Sequence, residues 1–419
     1  EHTITHYWYT SWPDHGAPDI NDDIDYENFD NFIKELVGII AGSNNPENGI
    51  NGILIHCSAG VGRTGTIYVI LRILLKLHWK NKQKAYPNYF ITLEDINCEI
   101  KSARFHRHSS IVQTFEQYQF IFEYLLKSNE QHMDKELNTY ISLNNENLIN
   151  VEIEYESGSG SGKKIFSDWE MQFMALEESQ NNFNNSVNIK LKEQTPTTKT
   201  ELPTNCFRYA NIIPNEFTRI HLGEPNTKDC TNIYGANRMM RFPGSSVKNC
   251  VIAAEGPAVD NLANFKNLLI QQGISIIIML TKTHEKKNGE FKEKCFKYWK
   301  DSTDDVEYYY TENEEKTENI AKELTQCGYQ IRTLKYNKDT NKDTNKDTNK
   351  DKDTNKDTNE NQIFDATIID GGEDRQAKKI AAEEAKAAKV EAEEGEEEAE
   401  AAAEFTGWGE TQPLEEEEF

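Results

Sequence analysis

Hydrophobic and polar positions divide this chain into short apolar segments and two long polar tracts. Thr3-Ile4-Thr5-His6-Tyr7-Trp8-Tyr9 alternates with period two and predicts a strand. Ile53-Leu54-Ile55 is a short continuous apolar run, the pattern of a buried strand, and Thr66-Ile67-Tyr68-Val69-Ile70-Leu71 continues as an apolar helix. Further apolar segments recur at Cys250-Val251-Ile252-Ala253-Ala254, at Ile276-Ile277-Ile278-Met279-Leu280 and at Tyr329-Gln330-Ile331-Arg332-Thr333-Leu334. After these the pattern fails. Residues 337–359 repeat Asn-Lys-Asp-Thr with almost no apolar content and predict disorder. Residues 374–404, rich in Ala, Glu and Lys, predict a solvated helix.

Between the strand at 53–55 and the helix at 66–71 lies His56-Cys57-Ser58-Ala59-Gly60-Val61-Gly62-Arg63-Thr64-Gly65. A strand, a glycine-containing loop and a helix N-terminus form an anion cradle, because successive backbone N–H groups and the helix dipole point at the same place. Arg63 adds a bidentate grip on phosphate oxygens. The same field favours the thiolate of Cys57, the form that attacks. Upstream, Trp12-Pro13-Asp14-His15-Gly16-Ala17-Pro18 reads as a loop able to close over a site. Cleaving an aryl phosphate ester needs a proton on the leaving oxygen, and Asp14 is the donor at hand.

These two segments together resemble the catalytic domain of the tyrosine-specific protein phosphatases. The Cys-x5-Arg signature is shared with dual-specificity and lipid phosphatases; its combination with Trp-Pro-Asp is more specific. The resemblance implies an α/β (α+β) fold, a twisted mixed β-sheet flanked by helices. It also implies a protein-tyrosine phosphatase working through a phosphocysteine intermediate, with no cofactor and no metal. By resemblance the phosphate sits on Ser58, Ala59, Gly60, Val61 and Gly62, with Arg63 closing the loop. Thr64 bonds Cys57 and helps it leave, and His56 supports the loop. Tyr209 packs on the substrate ring and sets the pocket depth, and Asn211 binds the peptide backbone. Gln113 positions water with help from Gln117; the spacing of four puts both amides on one helix face. Glu285 holds Arg63, and Lys294 contacts the Trp-Pro-Asp loop.

The order of the segments departs from the family. The recognition segment Phe207-Arg208-Tyr209-Ala210-Asn211 stands far behind the cysteine loop instead of ahead of it. Reading 163–336 and then 1–156 restores the family order, so the chain resembles a circular permutant. Ser157-Gly158-Ser159-Gly160-Ser161-Gly162 forms the joint, read as a flexible tether. An engineered permutant is the favoured account; a natural linker between two incomplete fragments is the other. The chain then divides into 1–156 and 163–336 as two parts of one domain, a 157–162 linker, a 337–362 low-complexity repeat and a 363–419 acidic helical or disordered tail. Phe207, Glu255 and the run Phe265-Lys266-Asn267-Leu268 depart from the family pattern and bear on packing.

Composition narrows the partners. The net charge of −25 argues against nucleic acid and anionic membranes. No apolar run approaches a membrane span. Seven widely spaced cysteines point to a reducing, cytoplasmic setting without a disulfide framework. No Cys or His cluster has metal spacing, and His106 and His108 read as surface residues. Phosphotyrosine proteins or peptides are the expected partners, and Trp408 in the acidic tail is a candidate anchor for an unknown one. Phosphoinositide or phosphoserine hydrolysis is disfavoured by the uncharged Ser-Ala-Gly-Val-Gly interior and by Tyr209. The other class kept open is a phosphotyrosine-binding or scaffold protein with impaired turnover and its output in the tail.

Overall fold

A computed structural model describes residues 2–13, 16–42, 50–83, 89–145, 150–157, 160–176, 178, 202–245, 250–287, 290–301, 328–336 and 364–370. The strands are β1 (His2–Tyr9), β2 (Gly52–His56), β3 (Asn150–Ser157), β4 (Gly160–Ser167), β5 (Ala236–Met239), β6 (Cys250–Ala254), β7 (Ile274–Met279), β8 (His284–Lys287), β9 (Glu290–Glu293), β10 (Trp299–Asp301), β11 (Tyr329–Tyr336) and β12 (Phe364–Asp370). The helices are α1 (Asp23–Gly42), α2 (Gly62–Asn81), α3 (Leu93–His106), α4 (Phe115–Asn129), α5 (Lys135–Asn145), a helical stretch at 168–176 (α6), and α7 (Leu262–Gln271).

Eight strands form one mixed sheet in the order β10-β12-β11-β1-β7-β2-β6-β5. The middle four, β1, β7, β2 and β6, run parallel, and antiparallel strands flank them. The central strands β2 and β6 are buried along their whole length, as expected for parallel strands covered on both faces. Period-two alternation sorts their side chains into two cores. Tyr7, Tyr9, Ile53, Ile55, Val251, Ala253 and Ile278 face the cluster that holds α1 to α5. Ile4, Trp8, Leu54, Ile252, Ile277 and Met279 face the cluster built on Leu262, Phe265, Leu268 and Leu269 of α7. The fold is thus the twisted mixed sheet with flanking helices that the sequence predicts.

Strands from the two ends of the chain alternate across the sheet centre. β7 lies between β1 and β2, and β6 on the far side of β2, so the segment carrying the cysteine loop is walled by strands numbered two hundred residues later. The register Thr5↔Ile276 and Ile53↔Ile276 fixes all three strands relative to one another.

Four expectations are corrected. The Ser/Gly joint is not a bare tether: Ser157 pairs with Gly160 and Tyr155 with Gly162, so the joint is the tip of the β3–β4 hairpin. Residues 364–370, assigned to the acidic tail, form β12, which pairs antiparallel with β11 and parallel with β10. An open edge on β11 recruits a strand from wherever an alternating segment is in reach. Cys206 and Cys230 form a disulfide across 24 residues, against the expectation of unpaired cysteines. His106 and His108 are half-buried, and burial brings the His108 pKa down to about 4. The repeat at 337–359, the helix expected at 374–404 and the Trp408 region lie outside the described residues.

Candidate active site

The cysteine loop leaves β2 at His56 and enters α2 at Gly62. Its carbonyls are taken by groups outside the loop. Leu280 N–H donates to His56 O (2.9 Å), Gly256 N–H to Ser58 O (2.8 Å) and Gly65 N–H to Val61 O (2.9 Å). His56 Nδ1 reaches Cys57 O at 3.1 Å, and Arg107 Nη2 reaches Ala59 O at 3.2 Å. In a planar trans peptide a carbonyl turned outward turns the next N–H inward. The amides of Ser58, Ala59 and Gly60 therefore face the interior, and Gly60 N–H is seen donating to Cys57 Sγ at 3.3 Å. Val61, at the N-cap of α2, supplies no side-chain acceptor, which leaves the first helical N–H groups for an anion.

Gly60 is required by the backbone. Its φ is +70°, and a Cβ there would stand 2.1 Å from Ala254 O. Gly62 is required by side chains: a Cβ would meet Gln117 Oε1 at 2.9 Å and Gln113 Oε1 at 3.1 Å. Both glutamines thus lie on the loop. Thr114, the N-cap of α4, accepts the N–H of Gln117, and Gln117 Oε1 accepts the N–H of Gln113 at 2.9 Å. Gln117 Nε2 also donates to Gly16 O (3.3 Å), tying the acid loop to α4. Trp12, buried among Tyr9, Phe29 and Phe120, donates to the same Gly16 carbonyl at 2.9 Å. Asp14 itself lies outside the described residues.

Arg63 is buried and donates through Nη1 to Glu285 Oε1 (2.5 Å) and Leu280 O (3.2 Å). Lys294 Nζ stands 3.5 Å from Glu285 Oε2; the contact expected between Lys294 and the acid loop centres on residues outside those described. Ser58 Oγ donates to Lys294 O at 2.8 Å. Its one proton is thereby committed, so the 2.8 Å bond to Tyr209 runs from the phenol to Ser58 Oγ. Tyr209 is half-buried at the wall of the loop, and Asn211 is exposed two residues on. Thr64 Oγ1 is buried with no hydrogen-bond partner among the described residues, so the expected bond from Thr64 to Cys57 is not formed.

Three further side chains support the loop, of which Arg107 escaped the sequence reading. Fully buried Arg107 joins Ala59 O, Gly235 O (3.3 Å) and Asn237 Oδ1 (3.1 Å); burial lowers its pKa to about 10, against the opposing charges of Glu255 and Cys57. Tyr298 OH bonds His56 Nε2 at 2.9 Å. Glu255 accepts the N–H of Arg208 (2.9 Å), the N–H of Gly235 (3.3 Å) and Asn261 Nδ2 (3.2 Å), and burial raises its pKa. Its carboxylate is satisfied by three donors, so this departure from the family pattern ties the recognition segment to the turn behind the loop. Phe207 and Phe265 are likewise absorbed into the cores. Among the described residues no group of His, Cys, Asp and Glu has the makings of a metal site.

A cysteine loop with inward amides, a carboxylate-held arginine and a wall tyrosine stand together at the carboxyl end of a parallel strand in an α/β domain. The protein-tyrosine phosphatase family model matches residues 1–127 and 204–384, and the chain belongs to that family. It is 28% identical to receptor-type tyrosine-protein phosphatase S of Gallus gallus over 302 residues, covering 71% of this chain and 16% of that protein. It is 28% identical to receptor-type tyrosine-protein phosphatase alpha of Homo sapiens over 298 residues, covering 71% and 31%. Against tyrosine-protein phosphatase Lar of Drosophila melanogaster it is 28% identical over 297 residues, covering 70% and 12%. The chain thus spans a minor part of the length of these relatives. No solved structure matches it. The family match extends through β12, in keeping with that strand's place in the sheet.

Proposed function

We propose that this domain hydrolyses phosphotyrosine in proteins or peptides. The observation that carries the reading is Gly60 N–H donating to Cys57 Sγ in a loop whose carbonyls are turned outward, with Arg63 fixed by Glu285 beside it. The phosphate binds on the amides of residues 58–63 and Arg63, and the substrate ring lies along Tyr209. Cys57 Sγ attacks phosphorus; the P–O bond to the phenol breaks as Asp14 gives the leaving oxygen its proton. Water then cleaves the S–P bond of the phosphocysteine, and Asp14 takes back a proton. Gln113 and Gln117, both against Gly62, hold that water. Splitting one displacement into two is nucleophilic catalysis, and the amide ring stabilises charge developing on the transferred group.

Residues 1–156 and 163–336 are, in this reading, the two parts of one catalytic domain in permuted order. The interleaving of β1, β7, β2 and β6 supports it. The acid loop is anchored through β1, which is paired on both sides, and through Thr10 N–H, which bonds Gly328 O. We place the domain in cytoplasmic signalling, where reduced glutathione keeps Cys57 a thiol. Cys57 is unpaired in the structure. The Cys206–Cys230 disulfide weighs the other way; thiol mapping of cytoplasmically expressed protein decides between them.

The test of the activity is phosphate release from a phosphotyrosine peptide beside a phosphoserine peptide and a Cys57→Ser control. Turnover of the first alone, abolished by Cys57→Ser, is expected. Equal turnover of both peptides overturns the pocket-depth argument. Retained peptide binding with no turnover replaces hydrolysis by the binding-module reading.

A further inference from the structure

A buried polar chain runs from the cysteine loop to the strand that carries the acid loop. His56 Nδ1 lies 3.1 Å from Cys57 O, His56 Nε2 2.9 Å from Tyr298 OH, and Tyr298 OH 3.0 Å from His6 Nε2. All three side chains are buried. We propose that His6 is a positioning residue for the cysteine loop, acting through Tyr298 and His56.

The direction of every bond follows from one end. A carbonyl accepts and cannot donate, so His56 Nδ1 carries the proton aimed at Cys57 O. Burial lowers the His56 pKa to about 4, so the ring is neutral near pH 7 and its Nε2 is a bare acceptor. Tyr298 must therefore give its single proton to His56. What Tyr298 has left for His6 is a lone pair, so His6 Nε2 is the donor. His6 is then the Nε2-protonated tautomer, and its Nδ1, which has no hydrogen-bond partner among the described residues, is an unprotonated nitrogen.

The groups facing this chain keep it neutral and fixed. Arg332 on β11 is the register partner of His6, and its guanidinium lies over the Trp8 and Trp299 rings at 4.6 and 5.2 Å. Burial, Arg332 and His56 together hold the His6 pKa well below its usual value. Trp299 packs on the His6 ring at 5.0 Å and Tyr298 at 5.6 Å. Around His56 stand Phe265 of α7, Tyr298 and the charge of Arg208. His6 is thus no titrating switch. Its N–H polarises the Tyr298 hydroxyl, which strengthens each following bond toward the Cys57 carbonyl. That carbonyl belongs to the nucleophile itself, so the chain orients Cys57 from the side opposite the substrate. It also places one strand, β1, behind both the acid loop and the nucleophile.

This inference rests on the phosphatase reading, so its test carries a readout that needs no turnover. Compare His6→Leu, which has no donor, His6→Gln, which offers an N–H, Tyr298→Phe, and the His6→Leu/Tyr298→Phe pair in the full chain. Expected for His6→Leu is a kcat about 3- to 10-fold lower, the equivalent of one hydrogen bond, with KM unchanged. Alkylation of Cys57 by iodoacetamide should slow in parallel. His6→Gln should restore both, and His6→Leu should add nothing once Tyr298 is Phe. Equal losses in His6→Leu and His6→Gln, or additive losses in the pair, overturn the proposal. So does an imidazole nitrogen spectrum showing His6 protonated at Nδ1, a measurement that needs no variant to fold. A wild-type chain that alkylates but does not turn over would sink the phosphatase reading and leave the alkylation comparison standing.

Discussion

Gly62→Ala separates the two chemical steps. Gly62 opens α2, and its φ is not in the left-handed region, so Ala carries no backbone penalty there. Helix propensity favours Ala over Gly by about 0.5–1 kcal/mol. The added Cβ stands 2.9 Å from Gln117 Oε1, 3.0 Å from Gln117 Nε2 and 3.1 Å from Gln113 Oε1, so the two amide ends must move while the loop backbone stays. Moving Gln117 breaks its bonds to Gln113 N–H and Gly16 O. At about 0.5–1.5 kcal/mol each, the loss is about 1–3 kcal/mol, or roughly 5- to 150-fold in a rate. Under the proposed mechanism the glutamines hold the second water and not the first nucleophile, so the loss should fall on phosphocysteine hydrolysis. Stopped-flow hydrolysis of p-nitrophenyl phosphate should show a burst of nitrophenol near one equivalent, followed by a slowed steady state. Stability to thermal unfolding should be unchanged or lowered by up to about 2–3 kcal/mol, because the two lost bonds outweigh the gain in helix propensity. A slowed burst, or a steady state equal to wild type, would refute the placement of Gln113 and Gln117 at the second step. A loss of stability well beyond about 3 kcal/mol would refute the claim that only side-chain ends yield.

Gly60→Ala is the opposite case: the left-handed φ and the 2.1 Å approach to Ala254 O are both backbone constraints, and about 2–6 kcal/mol of stability should be lost in urea unfolding; a midpoint within error of wild type would contradict the loop geometry. Glu285→Ala removes the carboxylate that orients Arg63 and should lower kcat/KM about 10- to 100-fold, with excess phosphate protecting Cys57 from alkylation less well than in wild type; unchanged protection would mean Arg63 is held by Leu280 O alone. His56 is neutral in the fold down to about pH 4, whereas the unfolded chain protonates it near 6.5. Unfolding therefore takes up a proton between these values, and stability is full above pH 6.5 and falls as the pH drops toward 4. The His56 share is about 3 kcal/mol, read as the difference between wild type and His56→Gln across a pH series of urea unfolding. A difference independent of pH would contradict the burial argument.

Local signals carried the site and tertiary signals did not. Cys57 to Gly65 are contiguous, and their chemistry needs strand, loop and helix in immediate succession, so spacing alone exposed them. Gln113 and Gln117 were legible through the resemblance of residues 111–117 to the family pattern, but the helix face expected to carry both does not form. Helix α4 starts at Phe115 behind the Thr114 cap, so Gln113 lies before the helix and meets Gln117 through its own N–H. Arg107 was passed over: nothing local distinguishes an arginine that bonds Ala59, Gly235 and Asn237 from one in water. His106 and His108, beside it, read as surface residues for the same reason. Phe364–Asp370 is a strand because β11 offers an edge, and an edge is a property of the assembled sheet. Tail composition on either side masked it. The Ser/Gly joint reads as a tether in isolation, yet the segments before and after it pair over eight positions and carry the joint into their hairpin. The Cys206–Cys230 bridge joins two loops whose proximity depends on Asn264 holding Cys230 O and Ile233 O.

Chain order matters little to this site because its constraints cross between the two parts of the chain. Of the carbonyls that turn the cysteine loop inside out, His56 O is held from residue 280 and Ser58 O from residue 256. Ala59 O is held from residue 107, on a side chain itself anchored to residues 235 and 237. Arg63 answers to Glu285, and Ser58 to Lys294 and Tyr209. Neither residues 1–156 nor 163–336 contain a complete set of these partners. The loop therefore gains its inward amides only after β6 and β7 have paired with β2, a contact between segments two hundred residues apart. Such pairing carries a loop-closure cost that grows slowly with length, so another order of the same segments would move stability modestly while leaving the same partners to meet. What the chain order does set is which segment waits: here the nucleophile and its helix precede β6 and β7, which wall the loop, and long-range contacts of this kind slow folding. Active-site assembly, followed by Cys57 alkylation during refolding, should therefore track formation of the β2–β6–β7 sheet and not formation of α2.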